Sequence, residues 1–377
     1  MTIVLREHRP GSDPSDFIRA AHEVYRNDSS WVPPLDLDMR DRLNPRKNPF
    51  FQHAEATWWT AWRDGRLVGR CSAQIDQEHL KLYQDATGYF GFFDTLEDPE
   101  AARTLVDAAA QWLERRGMKR MRGPLSFTFK EEVGVLIEGF DTPPVLLMGH
   151  SRPYQAAMAE AAGLSKVKDL FAWRYDVGQI PTRAQRAWEQ VQSYPEVRFR
   201  NVLKRNLHRE LPMLMDIFND AWSQNWGFVP ATDEEVKKFA EDLKLILDEE
   251  LAIIVEIDGR AMGMCISVPN LNEAIRDLDG KLFPTGLGEI LWRLKFKGLK
   301  SARLMLLGLR RELRGVKRYG ALSTALYVEI AKRGLAKGYE WGELSLTLED
   351  NHPVNLGIRS MGGRKYKTYR VYDRDFG

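Results

Sequence analysis

The chain has 377 residues, 44% of them hydrophobic and 29% charged, with a formal net charge of +2, which is the profile of a soluble globular protein long enough for two or more domains. So even a charge balance, with no recognised motif, excludes a nucleic-acid-binding role. Cys71 and Cys265, far apart in similar apolar contexts, read as buried free thiols and not as a disulfide or metal site.

Taken in chain order, the first half opens with helix signals over Asp13–Tyr25 and a Pro-rich loop, WVPPLDLDMRDRLNPRKNPFF. ATWWTAWRDGRLVGRCSAQI then reads as a hairpin of two alternating runs joined by Asp64-Gly65. GYFGFFD is a strand and PEAARTLVDAAAQWLERRG an amphipathic helix with Pro99 in its first turn and Gly117 past its end. KRMRGPLSF is a strand, YQAAMAEAAG a helix and FAWRYDV a strand. The opening MTIVLREHRPGSD lacks the apolar core of a signal peptide, and no run approaches the roughly 20 apolar residues of a membrane span. A cytoplasmic protein is expected, with peripheral contact on the cytoplasmic membrane face left open.

The second half repeats the order. Helical PMLMDIFNDAWS and DEEVKKFAEDLKLILDEE precede a hairpin, LAIIVEIDGRAMGMCISVPN, with Asp258-Gly259 at its turn. Both hairpins read D-G-R-x-x-G-x-C-x-[AS], and duplication is the economical explanation. The expected domains are 1–176, a linker over 177–194, and 195–377, the last carrying an apolar and basic insertion at about 276–300. In that insertion Leu287, Ile290, Leu291, Leu294 and Lys295 fall at helical spacing, and Trp292, Phe296 and Leu299 widen the apolar side. Its composition suits an interfacial helix or a flap over a lipid-sized tunnel, or a helix that packs on the core.

The tail reads strand, basic turn, helix, strand, short helix, strand. The turn Arg318-Tyr319-Gly320-Ala321-Leu322-Ser323 enters its helix directly, so its N–H groups can meet an anion such as a pyrophosphate, and Arg314 and Lys317 add charge. The equivalent turn of the first half holds Asp94, Glu97 and Asp98, which would repel one.

This order of elements, ending in N…GGRKYKTYRVY, resembles the GNAT acyltransferase superfamily, whose acyl-CoA pyrophosphate lies on a [QR]-x-x-G-x-[GA] turn. Arg318 matches the first position; Ala321 stands where Gly is usual, and Ser323 replaces the last small residue. Over most of its length the chain is further similar to a bacterial tandem-GNAT group that includes the bacterial ceramide synthases, through WVPPL, NPFFQHAE, GRCSAQID, GYFGFFD, EEVGVLIEGFDTPPVLLMGH, LEDN and RKYKTYRVY. The resemblance implies an α/β protein with two tandem GNAT-like domains, each a mixed, mostly antiparallel sheet flanked by helices. It implies an N-acyltransferase that uses acyl-CoA and an amine acceptor, without a metal. The acyl group would be long and the acceptor hydrophobic, as in transfer to a sphingoid base; contact with the inner membrane goes with that reading. An acetyl-CoA-dependent N-acetyltransferase of a small polar amine, and a non-catalytic tandem-GNAT binding or scaffold protein, remain as alternatives.

N-acylation needs a base for the incoming ammonium and an acid for the departing thiolate. In WGELSLTLEDN, strand alternation would put Glu343, Ser345, Thr347 and Glu349 on one face, making Glu343 and Glu349 candidate bases. Tyr366 and Tyr369 are candidate acids, and Asn351 and Asn355 stand where the superfamily often has an amide near the pantetheine. Glu131 and Glu132 could attract a cationic amine, and His150, Trp292 and Phe296 complete the expected acceptor contacts. No G-x-S-x-G nucleophile, dinucleotide fingerprint or metal-ligand His pair is present.

Overall fold

Asp64 and Gly65 have φ of 52° and 77°, and Asp258 and Gly259 have 51° and 76°, the paired positive values that a tight two-residue hairpin turn demands. Both Asp-Gly signals therefore form the turns expected of them. The computed structural model describes residues 2–377. In chain order these form β1 (Val4–His8), α1 (Ser15–Val24), α2 (Asp36–Arg42), β2 (Ala54–Arg63), β3 (Arg66–Asp76), α3 (Gln77–Tyr83), β4 (Thr87–Thr95), α4 (Pro99–Glu114), β5 (Arg120–Gly123), β6 (Val135–Glu138), α5 (Gln155–Ala161) and β7 (Ser165–Asp176). There follow α6 (Thr182–Gln192), β8 (Val197–Asn201), α7 (Leu207–Trp222), α8 (Asp233–Ile246), β9 (Ala252–Ile257), β10 (Arg260–Pro269), α9 (Asn272–Ile275), α10 (Gly286–Trp292), β11 (Ser301–Leu309), α11 (Leu322–Ala336), β12 (Trp341–Leu348), α12 (His352–Ser360) and β13 (Arg364–Asp375).

Two units result, and neither is a contiguous half of the chain. The first comprises the chain up to Leu170 with Ala274–Trp292 and Lys367–Gly377; the second comprises Phe171–Glu273 and Arg293–Tyr366. The expected boundaries at 176 and 195 are corrected accordingly. The two long strands β7 and β13 cross them: each begins in the unit of its own half and runs on into the other. The segment 177–194, expected to be a linker, instead carries α6. Its Ala184 packs with Val328 and Met361, Trp188 Nε1 donates to Glu329 at 2.8 Å, and Lys332 Nζ lies 3.3 Å from the Trp188 ring centre. Burial of its apolar residues against α11 orders this segment.

Within the first unit, β1, β2, β3 and β4 are successively antiparallel neighbours. β4 and β5 are parallel across the α4 crossover, and β13 is antiparallel to both β5 and β6. Within the second, β8, β9, β10 and β11 are antiparallel neighbours, and β11 and β12 are parallel across α11. The same mixed, mostly antiparallel order appears twice, as duplication requires. Cys71 lies in the core beneath α4 and Cys265 in the core beneath α11, both free and fully buried. Burial pushes both thiols far above their usual range. Two residues earlier, Gly69 and Gly263 admit the neighbouring strand: an added Cβ would stand 2.8 Å from the Asp94 carbonyl oxygen in one and from that of Gly308 in the other.

β3 is buried on both faces, and the aromatic residues of β2 explain how. Trp59 packs with Leu105 and Leu113 of α4, while Trp58 faces the other way against Phe17 of α1, Phe92 and Phe127. Arg70 and Asp94, themselves buried, form an ion pair at 2.7 Å inside this layer. The Tyr25 hydroxyl donates to Asp94 at 2.5 Å, and Arg70 Nη1 donates to the Phe17 carbonyl at 3.1 Å.

Candidate functional site

In the second unit β11 and β12 are paired only from Ser301 with Trp341 to Leu304 with Leu344. Beyond that point the two parallel strands part. Met305 is passed over in the register of β11 against β10, which runs from Ser267 with Leu304 directly to Ile266 with Leu306. A parallel pair that opens in this way offers main-chain hydrogen-bonding groups to a ligand.

Leu344 joins the apolar cluster of Trp173, Tyr175, Ala331 and Ile358 on the α11 side, so alternation turns Glu343 to the other face beside Arg303, its partner across the parallel pair. Glu343 is completely buried. Its two carboxylate oxygens accept from the hydroxyls of Ser345 and Tyr366, and Arg303 Nε donates to Ser345 Oγ at 3.2 Å. Of the four expected catalytic residues the fold thus joins Glu343 to Tyr366. The expected polar row does not continue: Thr347 accepts from Trp173 Nε1 at 2.8 Å, on the side of the apolar cluster, and Glu349 lies past the end of β12 in the turn before α12. Tyr369 is also corrected. It is fully buried in the first unit, its hydroxyl donating to the Gly149 carbonyl at 3.0 Å, and so serves as a core tyrosine with a satisfied polar end.

The basic turn enters α11 as expected. Ala321 occupies the N-cap and offers no side-chain acceptor, which leaves the first-turn N–H groups to other partners. Leu322 is fully buried and anchors the helix, so only its backbone can face a ligand; Gly320 is exposed and Ser323 half-buried. Arg318 is engaged by Glu196 at 2.6 Å and stacks 4.5 Å from the Tyr194 ring centre, and Tyr319 Oη meets the same carboxylate at 3.4 Å. Arg314 donates to the Ala221 carbonyl at 2.7 Å; Lys317 is exposed and has no ion pair among the described residues. In the first unit the equivalent helix end is closed. Asp98 caps α4 by accepting from Ala101 N at 3.0 Å and pairs with Arg63 at 2.8 Å. The cross-strand pair Arg70–Asp94 there corresponds to Met264–Gly308 in the second unit, so a buried carboxylate stands where the second unit has a glycine.

Asn351 caps α12 through Val354 N. Asn355 donates from Nδ2 to the Leu348 carbonyl at 3.0 Å, and its buried Oδ1 has no hydrogen-bond partner. An orphaned acceptor of this kind suits a ligand amide. Sequence reasoning missed Tyr175, which lines a cavity of about 60 Å³ with Leu304, Tyr327, Leu344, Ile358 and Met361, and whose buried hydroxyl is likewise unpartnered.

The five expected acceptor contacts are placed as follows. Glu132 pairs with Arg42 at 3.3 Å, and Glu131 adds to the field on the same guanidinium. Trp292 and Phe296 are 55% and 70% exposed and lie outside the lining of the Tyr175 cavity. His150 is almost wholly buried, its Nε2 meeting Asp28 at 3.0 Å and its Nδ1 lacking a partner. His79 is buried between Asp85 at 2.9 Å and the Tyr89 hydroxyl at 2.8 Å.

Burial holds both imidazoles below the ordinary value of 6.5 despite these carboxylates. The unfolded chain therefore binds protons more readily. The stability due to this pair is complete above about pH 6.5 and declines as the pH falls toward the folded values. The urea midpoint should drop between about pH 7.5 and about pH 5.5, and to a smaller extent in His79→Gln. A midpoint that stays level would show that these rings are not held neutral.

No family model matches the chain. It is 40% identical over 361 residues to the bacterial ceramide synthase of Caulobacter vibrioides (strain NA1000 / CB15N), covering 95% of this chain and 94% of that one. It is 36% identical over 367 residues to protein YghO of Escherichia coli (strain K12), covering 96% and 93%. Among solved structures, a tandem GNAT protein from the clavulanic acid biosynthesis pathway has a TM-score of 0.57 at 14% identity, over 100% of this chain and 99% of its own. A GCN5-related N-acetyltransferase from Sphaerobacter thermophilus has 0.55 at 14% identity, over 99% and 95%. At these identities the structural likeness is one of fold.

Proposed function

This chain belongs to the family of the bacterial ceramide synthase, with the fold of the tandem GNAT acyltransferases, and on that premise we propose that it transfers a long-chain acyl group from acyl-CoA to the amine of a hydrophobic acceptor, as from palmitoyl-CoA to a sphingoid base. The identity shared along nearly the whole chain with that relative is the observation that carries the reading. The second unit supports it with an uncapped α11 beside a basic turn, the parting of β11 from β12, and the Glu343–Tyr366 pair.

In the proposed reaction the ammonium first loses a proton and its nitrogen attacks the thioester carbonyl. The C–S bond then breaks as the new C–N bond is kept, the nitrogen gives up a second proton, and the thiolate takes one up. The balance is one amide, one free CoA and one proton released. Tyr366, half-buried, donates its hydroxyl to Glu343 and is the proposed relay: it would hand that proton to the carboxylate as it takes the second proton of the nitrogen, and the protonated pair would then return a proton to the sulfur. The α11 N-terminus, Arg318 and Lys317 would hold the pyrophosphate, and Asn355 Oδ1 would accept from a pantetheine amide.

Arg318 must exchange Glu196 for phosphate, which reduces what it contributes. Arg318→Ala is expected to weaken acyl-CoA binding about tenfold in a calorimetric titration, while Glu196→Gln leaves it unchanged or tighter. Parent-like affinity in Arg318→Ala would remove the turn from the site.

The function is tested by incubating the chain with palmitoyl-CoA or acetyl-CoA and a panel of amines that includes sphinganine, following CoA release and product mass together. Palmitoyl transfer to the sphingoid amine supports the reading. Transfer from acetyl-CoA alone, to a small polar amine, replaces it with an acetyltransferase. Binding without CoA release with either donor leaves a non-catalytic tandem protein.

A further inference from the structure

The apolar and basic segment around α10 has a firm base and a bare tip. At the base, Ala274 and Leu278 are buried, Arg276 donates to the Ser29 carbonyl at 3.1 Å, Asp36 N donates to the Gly280 carbonyl at 2.9 Å, and Asp279 meets His22 at 3.4 Å. Beyond it, Phe283 is 69% exposed, and in the continuous helical stretch from Gly286 to Lys297 Leu291 is 58% and Phe296 70% exposed. Leu287, Trp292 and Leu294 are exposed as well. Elsewhere the exposed large apolar residues are scattered along the chain; here six fall within one short segment, which is a patch and not the ordinary apolar content of a surface.

Lys281, Lys295 and Lys297 are exposed among them, and Glu289 is the one acid between Lys281 and Lys300. No helix among the described residues is long and apolar enough to cross a membrane.

We propose that this segment is a docking surface for an anionic lipid bilayer, entering the interface with Phe283, Leu287, Leu291, Trp292, Leu294 and Phe296 while Lys295 and Lys297 meet the headgroups. Charge decides the occupant. Apolar side chains carried with cations and nearly without acids complement a surface of acyl chains under negative headgroups. A second copy of the chain would bring the same cations against each other. The base fixed to Ser29 and Asp36 holds the tip outward, so the segment is presented without first unfolding. The proposal gains its purpose from the reading of a lipid acceptor above, yet it stands on exposure and charge, and its test contains no acyl-CoA.

The full chain is sedimented with vesicles of phosphatidylcholine, with and without phosphatidylglycerol, at low and high salt. Binding is expected to the mixed vesicles and to fall with salt. Lys295→Gln with Lys297→Gln is expected to weaken it roughly 25-fold, about fivefold per cation. Leu291→Ser with Phe296→Ser should weaken it about a hundredfold, tenfold or more for each apolar side chain withdrawn from the interface. All four positions are exposed, so circular dichroism and the thermal midpoint should match the parent and exclude a folding defect. The proposal is overturned if the parent chain stays in the supernatant with phosphatidylglycerol vesicles, or if the double serine variant binds as the parent does. It is equally overturned if light scattering finds a dimer that the double serine variant turns into a monomer while no vesicle binding occurs. Because acyl transfer to a soluble amine is measured separately, loss of vesicle binding with intact transfer sinks this inference alone.

Discussion

Glu343→Gln is expected to lower the rate of acyl transfer by about 10²–10⁴-fold, the usual worth of a positioned proton-transfer group, without changing acyl-CoA binding. The substitution keeps the shape of the side chain, which is completely buried on the face of β12 turned away from α11. It removes the charge that Ser345 and Tyr366 now address with their hydroxyls. A neutral amide still accepts a hydrogen bond from Tyr366, but it cannot take up the proton that the hydroxyl would pass on. Tyr366→Phe takes away the other end of the pair. If the two act as one unit, each single variant should lose nearly as much as the double variant, since a proton path broken once is not broken further. Single losses that multiply in the double variant would mean that Glu343 and Tyr366 act separately. Parent-like turnover in Glu343→Gln, with the fold intact, would remove the pair from the chemistry.

Arg70→Met is expected to destabilise the first unit by about 3–5 kcal/mol, the cost of leaving a buried carboxylate without its cation. Asp94 would keep the Tyr25 hydroxyl as a close side-chain donor, in a layer closed by Phe17 and Phe92. Hydrogen exchange of the β3 and β4 amides reports the local opening directly. The double variant Arg70→Met with Asp94→Asn should recover part of the loss, because it removes the orphaned charge along with its partner. Exchange rates unchanged in Arg70→Met would show that the pair is solvated and structurally idle. The same pair bears on function, since it fills in the first unit the strand position that Gly308 leaves small in the second.

Several features were legible in the chain alone. Asp64-Gly65 and Asp258-Gly259 declare their hairpins because a two-residue turn of that twist requires two positive φ values, which these residues tolerate. The long apolar period of α4 and the small residues leading into α11 announce helices for the same reason, namely that the determining residues lie within a few positions of one another. The acidic residues of the first turn were enough to expect a closed anion site, and Asp98 closes it as an ordinary helix cap. The repeated D-G-R-x-x-G-x-C stretch pointed to two similar units, since each Gly and Cys meets the same local packing twice.

Tertiary structure decided the rest. Which tyrosine joins Glu343 could not be read from spacing: Tyr366 reaches it from 23 residues away, whereas Tyr369, three residues further on, finds the Gly149 carbonyl instead. The strand that carries both changes units between Tyr366 and Lys367, a division that local periodicity does not encode. Residues 177–194, expected as a linker, hold α6, to which Val328 and Met361 give an apolar surface to bury. Arg42 takes Glu132 into an ion pair and lies in the field of Glu131, a grouping that spans some 90 residues and that spacing does not announce. Local signals depend on backbone preference and can be read in order; the pairing of distant side chains depends on which surfaces the folded chain brings together, and only the fold supplies that.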